Sequence, residues 1–163
     1  MLKKYLLILL IIVTVDSCTR DDICSEGIDT TPLLIITFKN INFPQLDKSV
    51  SNLTILTTDE TVVEVIKSIT TDSISIPLKT NLDSTKFYFI ENDIEKTPGN
   101  SDTVTFNYLR ENLYVNRACA FKTIYNQLSV EVDPENNTNW IQNIEILLTT
   151  IENENQAHIT IFH

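Results

Sequence analysis

From residue 32 onward the chain alternates short runs of β-branched and aromatic residues with polar turns, which is the patterning of a β protein. The strand candidates are Leu33 to Phe38, Leu53 to Leu56, Ile74 to Leu78, Phe87 to Ile90, Val104 to Tyr108, Leu113 to Val115, Leu128 to Val132, Ile141 to Thr149 and Ala157 to Phe162. Two show clean period-two alternation. Ile74, Ile76 and Leu78 fall on one face with Ser73, Ser75 and Pro77 on the other, and Val104, Phe106 and Tyr108 alternate with Thr103, Thr105 and Asn107. Thr97-Pro98-Gly99-Asn100 and Asp133-Pro134-Glu135-Asn136-Asn137 have the chemistry of chain reversals, with Pro fixing φ and Gly or Asn tolerating positive φ.

One stretch reads both ways. Residues 57–69 carry a Thr-x-x-Glu capping box and apolar residues at 62, 65, 66 and 69, which is helical spacing. Their richness in Val and Ile, and the strands on either side, tilt the reading to a strand or irregular edge. The expected fold is all-β, a single two-layer antiparallel β-sandwich of about seven to nine strands, immunoglobulin-like in general architecture and spanning 32–163.

The N-terminus has a different pattern. Lys3 and Lys4 precede the mostly apolar run Tyr5 to Val15, the order of charge and apolar residues in a secretory signal, and the run is shorter than the roughly 20 residues a membrane span needs. Val15-Asp16-Ser17-Cys18 resembles a bacterial lipobox, departing from it at Asp16. Residues 1–17 are therefore expected to be a lipoprotein signal peptide, with Cys18 the lipidated residue and 18–31 a short tether. The rival is an ordinary signal that leaves Cys18 a plain thiol.

Three cysteines are an odd number for an oxidising compartment. If Cys18 is acylated, Cys24 and Cys119 remain as an even pair, and a bridge between them closes a loop of about 95 residues, stabilising by an order of 4 to 5 kcal/mol. Removing the first 17 residues from 163 leaves 146, enough for one domain with a real core. The same removal takes away Lys3, Lys4 and Asp16, so 12 basic and 22 acidic residues become 10 and 21, a net charge of −11. Such a field repels nucleic acid and disfavours electrostatic adsorption to anionic lipid, which leaves attachment to a covalent anchor.

Catalytic signatures are sparse. The chain has 2 glycines, too few for a phosphate-cradling loop or a dinucleotide fingerprint. Its 2 histidines, His158 and His163, are five residues apart, which puts them on opposite faces of an extended strand, so a surface or strand-end role is expected rather than joint metal ligation. No catalytic residue, cofactor or metal is assigned. Asp133 to Asn139 superficially resembles a calcium loop, but Thr138 and Ile144 stand where Gly and an acid are required, and a solvated hairpin is expected. Trp140, Tyr108, Tyr114 and Tyr125 offer a sugar-binding platform, against the commoner use of strand aromatics as core or cross-strand partners.

Asp21 and Asp22, after Arg20, sit three and four residues past the expected anchor. Arg20-Asp21-Asp22 is similar to the short acidic export signal of some Bacteroidota lipoproteins; the alternative is that these charges belong to the fold. Cys18-Thr-Arg-Asp-Asp-Ile-Cys24, Thr30-Thr-Pro-Leu-Leu-Ile-Ile36, Ser73-Ile-Ser-Ile-Pro-Leu78 and Tyr114-Val-Asn-Arg-Ala-Cys-Ala-Phe-Lys122 together resemble the landmarks of a domain-of-unknown-function lipoprotein family of Bacteroidota. Asn116 and Ala120 depart from it, standing where Ser and Gly are expected. The resemblance implies a lipid anchor, a Cys24 to Cys119 bridge and a β domain, and no activity.

On the expectation that Arg117, Cys119 and Phe121 share a strand face, a bridge at Cys119 brings Arg117 near Glu26 if the segments run antiparallel, or near Asp22 if parallel. The reading favoured by the whole sequence is an outer-membrane lipoprotein, at the cell surface or periplasmic face. It is anchored through Cys18 and acts as a non-catalytic binding or scaffolding module whose partner is another envelope protein or a glycan. The alternatives are a carboxylate-dependent glycan hydrolase and a small-ligand carrier.

Overall fold

The structure is a computed structural model describing residues 23, 24, 27, 30–95, 97, 99–134 and 138–163. The signal peptide 1–17, Cys18, Arg20, Asp21, Asp22 and Glu26 lie outside the described residues.

Among the described residues, nine strands form two sheets that pack as a sandwich: β1 (Leu34–Lys39), β2 (Val50–Thr57), β3 (Glu64–Thr71), β4 (Ser73–Ile76), β5 (Ser84–Glu91), β6 (Asn100–Asn116), β7 (Ala120–Val132), β8 (Asn143–Ile146) and β9 (Ile159–Phe162). One sheet has the order β4-β1-β9-β8 and the other β3-β2-β5-β6-β7. Among the described residues there is no helix, and the ambiguous stretch 57–69 contributes β3, an edge strand.

The alternation read from the sequence does its expected work: Ile74 and Ile76 of β4, Leu78 just beyond it, and Val104, Phe106 and Tyr108 of β6 are all buried. They join Leu34, Ile36, Phe38, Ile55, Phe87 and Phe89 in one core between the sheets. Phe106 lies 6.2 Å from Phe87 and 6.3 Å from Phe89, ring centre to ring centre, within the range where aromatic pairs add to their area burial. The four residues of β9 are all buried, since that strand is flanked by β1 and β8, and so it lacks alternation.

The two-layer all-β sandwich is the expected fold, and four of its details differ from expectation. The sandwich is not purely antiparallel: Ile36 to Lys39 of β1 run parallel to Ile159 to Phe162 of β9, a pairing of distant segments that local patterning does not encode. The candidates at 104–108 and 113–115 are one strand, β6, and the following reversal at Asn116 to Ala120 contains neither Gly nor Pro. Residues 117–119 form that turn, so Arg117, Cys119 and Phe121 do not share a strand face. The turn expected at 97–100 belongs to a wider reversal between β5 and β6. There Gly99 passes so close to the Glu91 carbonyl oxygen that any Cβ would collide with it.

Candidate functional site

The two long strands β6 and β7 build the feature that distinguishes this sandwich. β5 pairs with β6 from Asn100 to Asn107, and beyond that point the register continues with β7 alone, from Leu109 opposite Asn126 to Asn116 opposite Ala120. A bulge marks the transition, with Gln127 at φ 55°. The result is a two-stranded arm that runs out from the sheet.

The turn at the arm's end is held by side-chain chemistry. Asn116 Oδ1 accepts hydrogen bonds from the N–H groups of Ala118 (2.9 Å) and Cys119 (2.8 Å), the local side-chain cap that lets Asn replace a backbone turn partner. Ala120 then closes the loop at φ 57°, in the left-handed region that Gly occupies without strain. This gives a physical account of the Gly expected at position 120: the backbone there needs one, and Ala bears the steric penalty.

Cys119 in this turn is disulfide-bonded to Cys24, with 4.8 Å between the Cα atoms. A second clasp follows, in which the Thr123 N–H of β7 donates to Thr31 Oγ1 at 3.0 Å. Further along, Tyr125 exchanges two backbone hydrogen bonds with Ile151, and the Leu128 N–H donates to the Thr149 carbonyl. Cys24, Thr31 and the stretch 149–151 thus lie along the outer edge of β7, which would otherwise be open for pairing.

At the tip, Tyr114 and Phe121 are direct cross-strand partners with ring centres 5.4 Å apart in an edge-on arrangement. They are 63% and 64% exposed, and Ile23 beside Cys24 is 78% exposed. Arg117 is exposed at the turn. Asp22 and Glu26, the carboxylates expected to meet it, lie outside the described residues.

The remaining candidates are structural. His158 is 1% exposed: its Nδ1 accepts from the Ile35 N–H at 2.9 Å, which makes Nε2 the protonated nitrogen that donates to the Asn153 carbonyl at 3.0 Å. Burial lowers its pKa against the opposing pull of the Asn153 carbonyl and Glu154. His163 is also buried, packed edge-on against Phe38 and Trp140, with Nε2 against the Lys48 carbonyl, and burial lowers its pKa too. Both histidines sit at the ends of β9, which fits the strand-end half of the expectation, but they are buried rather than on the surface because β9 is an interior strand.

Three of the four platform aromatics are core residues. Trp140 is buried and donates through Nε1 to the Phe89 carbonyl. Tyr108 and Tyr125 stack edge-on at 4.9 Å; the Tyr108 hydroxyl donates to the Lys79 carbonyl, and that of Tyr125 to the Leu78 carbonyl. Desolvation pushes the Tyr125 phenol up to about 12. Only Tyr114 of the four is exposed, so the platform does not assemble.

The expected calcium-like loop is partly outside the described residues; within it, Asp133 is paired with Lys86 at 2.9 Å and its carbonyl accepts from Asn139 Nδ2. Among the described residues no group of three or more His, Cys, Asp or Glu is placed to hold a metal ion.

A surface cleft of about 550 Å³ lies in the β8 to β9 connection, lined by Thr149, Thr150, Glu152, Asn153, Asn155, Gln156 and His158 among others. Glu152 is the one carboxylate residue in that lining, and His158 is committed to the two hydrogen bonds described above. An adjoining depression of about 390 Å³ adds Glu154, whose Oε1 accepts from the Leu33 N–H. Among the described residues the cleft therefore offers polar contacts and no free acid–base couple.

Fold and site together define an all-β sandwich whose distinguishing element is a disulfide-clasped hairpin arm, without an assembled catalytic group among the described residues. A family model described as "Family of unknown function (DUF6452)" matches residues 52–163, and the chain belongs to that family. No curated protein and no solved structure matches the chain.

The two cysteines were legible in the sequence; Phe121 was placed on a strand face with Cys119 rather than paired with Tyr114, and Ile23 was not singled out. The available signal was the pair of aromatics flanking a cysteine-bearing turn, and it became readable only once the reversal at 116–120 was known.

Proposed function

We propose that this chain is the precursor of a lipid-anchored envelope protein of Bacteroidota, a non-catalytic binding or scaffolding module held at the outer membrane through Cys18. The supporting observation is the Cys24–Cys119 bridge. It fixes the folded domain to the sixth residue after Cys18, a leash of roughly 20 Å at about 3.3 Å per residue. A domain on so short a leash works at the membrane surface. The sandwich supplies rigidity, the polar cleft and arm supply contact surface, and the partner is an envelope protein or glycan within that reach. Arg20, Asp21 and Asp22 form the export address in this reading.

Protease accessibility on intact cells tests it, using the native protein, Cys18→Ala and the double change Asp21→Ala with Asp22→Ala. The expected pattern is a native protein that fractionates with membranes and is shaved, a Cys18→Ala form that leaves the membrane fraction, and an acidic-pair variant that stays anchored but protected. A Cys18→Ala form that remains membrane-bound would contradict the anchor. An acidic-pair variant shaved as readily as the native protein would contradict the export address.

A further inference from the structure

We infer that the tip of the β6–β7 arm is a second membrane contact, with Tyr114, Phe121 and Ile23 seated in the interfacial layer of the bilayer that carries the Cys18 anchor. The inference rests on the lipoprotein reading above and adds an orientation to it. Three observations carry it.

The first is the exposed aromatic pair. Tyr114 and Phe121 are locked across the strands of a hairpin end and leave about two-thirds of their surface uncovered, at 63% and 64%. Aromatic rings at the end of a rigid element match the headgroup layer, where Tyr and Trp concentrate and apolar side chains insert.

The second is the disulfide. Cys119 lies between the two rings in sequence and is bonded to Cys24, so the residue nearest the anchor that the structure describes as bridged is tied to the same tip. Ile23, the residue before it, is the most exposed large apolar side chain of the described set. A leash of six residues from Cys18 ends at this tip and at no other end of the sandwich.

The third is the charge at the apex. Arg117 is exposed in the turn, in a chain whose formal net charge is −10. In the proposed orientation a cation there faces lipid phosphate. The opposite end of β6, at Asn100, is about 50 Å away along the strand at about 3.3 Å per residue.

The test uses the mature chain purified from bacterial membranes, with its acylation read by intact mass. It is reconstituted into protein-free vesicles of phosphatidylethanolamine and phosphatidylglycerol bearing bromine at shallow acyl positions. Tyr114→Trp and Phe121→Trp report the tip, and Ile94→Trp, which is at the opposite end of β6 and in an exposed position, reports the far end. The native chain, whose single Trp140 is buried, supplies the background.

The expected result is a blue-shifted emission for the two tip variants that brominated lipid largely quenches, with Ile94→Trp unquenched. A chain that carries its lipid and floats with vesicles, yet leaves both tip variants unquenched, overturns the inference while sparing the anchor, and assigns the aromatic pair to a protein partner or a second copy. A mature chain without acyl mass at Cys18 overturns the lipoprotein reading and this inference with it.

Discussion

Strands β6 and β7 run through both the sandwich body and the arm, yet the two regions are stabilised by different means. In the body, Val104 and Phe106 of β6 are fully buried against the other sheet and against β5, and burial of large apolar side chains holds the structure. In the outer arm, Tyr114 and Phe121 are mostly exposed, and the chain is held by a disulfide, an Asn side-chain cap and one hydrogen bond to Thr31. Where the sequence cannot bury a side chain it substitutes a covalent clasp. The exposed rings are then free to meet something other than the protein's own core.

Breaking the clasp gives the largest effect expected. Replacing both Cys24 and Cys119 by Ser opens a loop of 95 residues, and chain-entropy reasoning puts the loss at about 4 to 5 kcal/mol. Denaturant unfolding of the double variant measures it, and hydrogen exchange is expected to accelerate in 109–126 more than in β5. Equal acceleration everywhere would show that the bridge does not act through the arm.

Next comes the contrast between rings. Phe106→Ala in the core is expected to lose about 3 to 5 kcal/mol by cavity formation, whereas Phe121→Ala at the tip should lose under about 1 kcal/mol. Comparable losses by chemical denaturation would erase the distinction between the two regions.

The buried hydroxyl of Tyr108 tests the polar stitching inside the body. Tyr108→Phe removes the donor to the Lys79 carbonyl and the partner of Thr85 Oγ1, which is 2.6 Å away. The expected loss is about 1 to 2 kcal/mol.

His158 sharpens the comparison through pH. Its folded-state pKa lies below the ordinary 6.5, chiefly through burial, and protonating Nδ1 would break the bond from the Ile35 N–H. The unfolded chain therefore takes up the proton first, so this contribution is complete above pH 6.5 and is lost as pH falls from there through the folded value. Melting temperature is expected to decline below pH 6.5, before most carboxylates titrate, and His158→Gln should flatten that decline. An unchanged slope would show that His158 is not the group responsible.

The smallest effect is a gain. Ala120→Gly relieves a left-handed backbone at φ 57°, and the relief, partly offset by the entropy of Gly in the unfolded chain, should stabilise by roughly 0.5 to 1 kcal/mol.

These regions also differ in how far the sequence revealed them. The body was legible because burial imposes period two: Ile74, Ile76 and Leu78, and Val104, Phe106 and Tyr108, fall where the alternation placed them. β3 was legible through its β-branched residues despite helical spacing. The arm was not, because its reversal uses Asn116 and a strained Ala120 in place of Gly or Pro, so one strand was read as two. The parallel β1–β9 pairing and the burial of His158 and His163 depend on strands far apart in sequence coming together, which no local period records. Cys24 and Cys119 were found by counting thiols, whereas the Tyr114–Phe121 pair depended on a register that only the turn defines.

In the proposed reading one short segment carries a lipid at Cys18 and a bridge from Cys24 to the arm. Non-reducing chymotryptic mapping of the protein extracted from membranes tests both at once, because cleavage after Leu33, Tyr114 and Phe121 isolates the segment with its partner. The account predicts a single linked species in which the peptide 18–33 bears acyl mass on Cys18 and is joined through Cys24 to 115–121. An unacylated Cys18, or Cys18 itself bridged to Cys119, would contradict it.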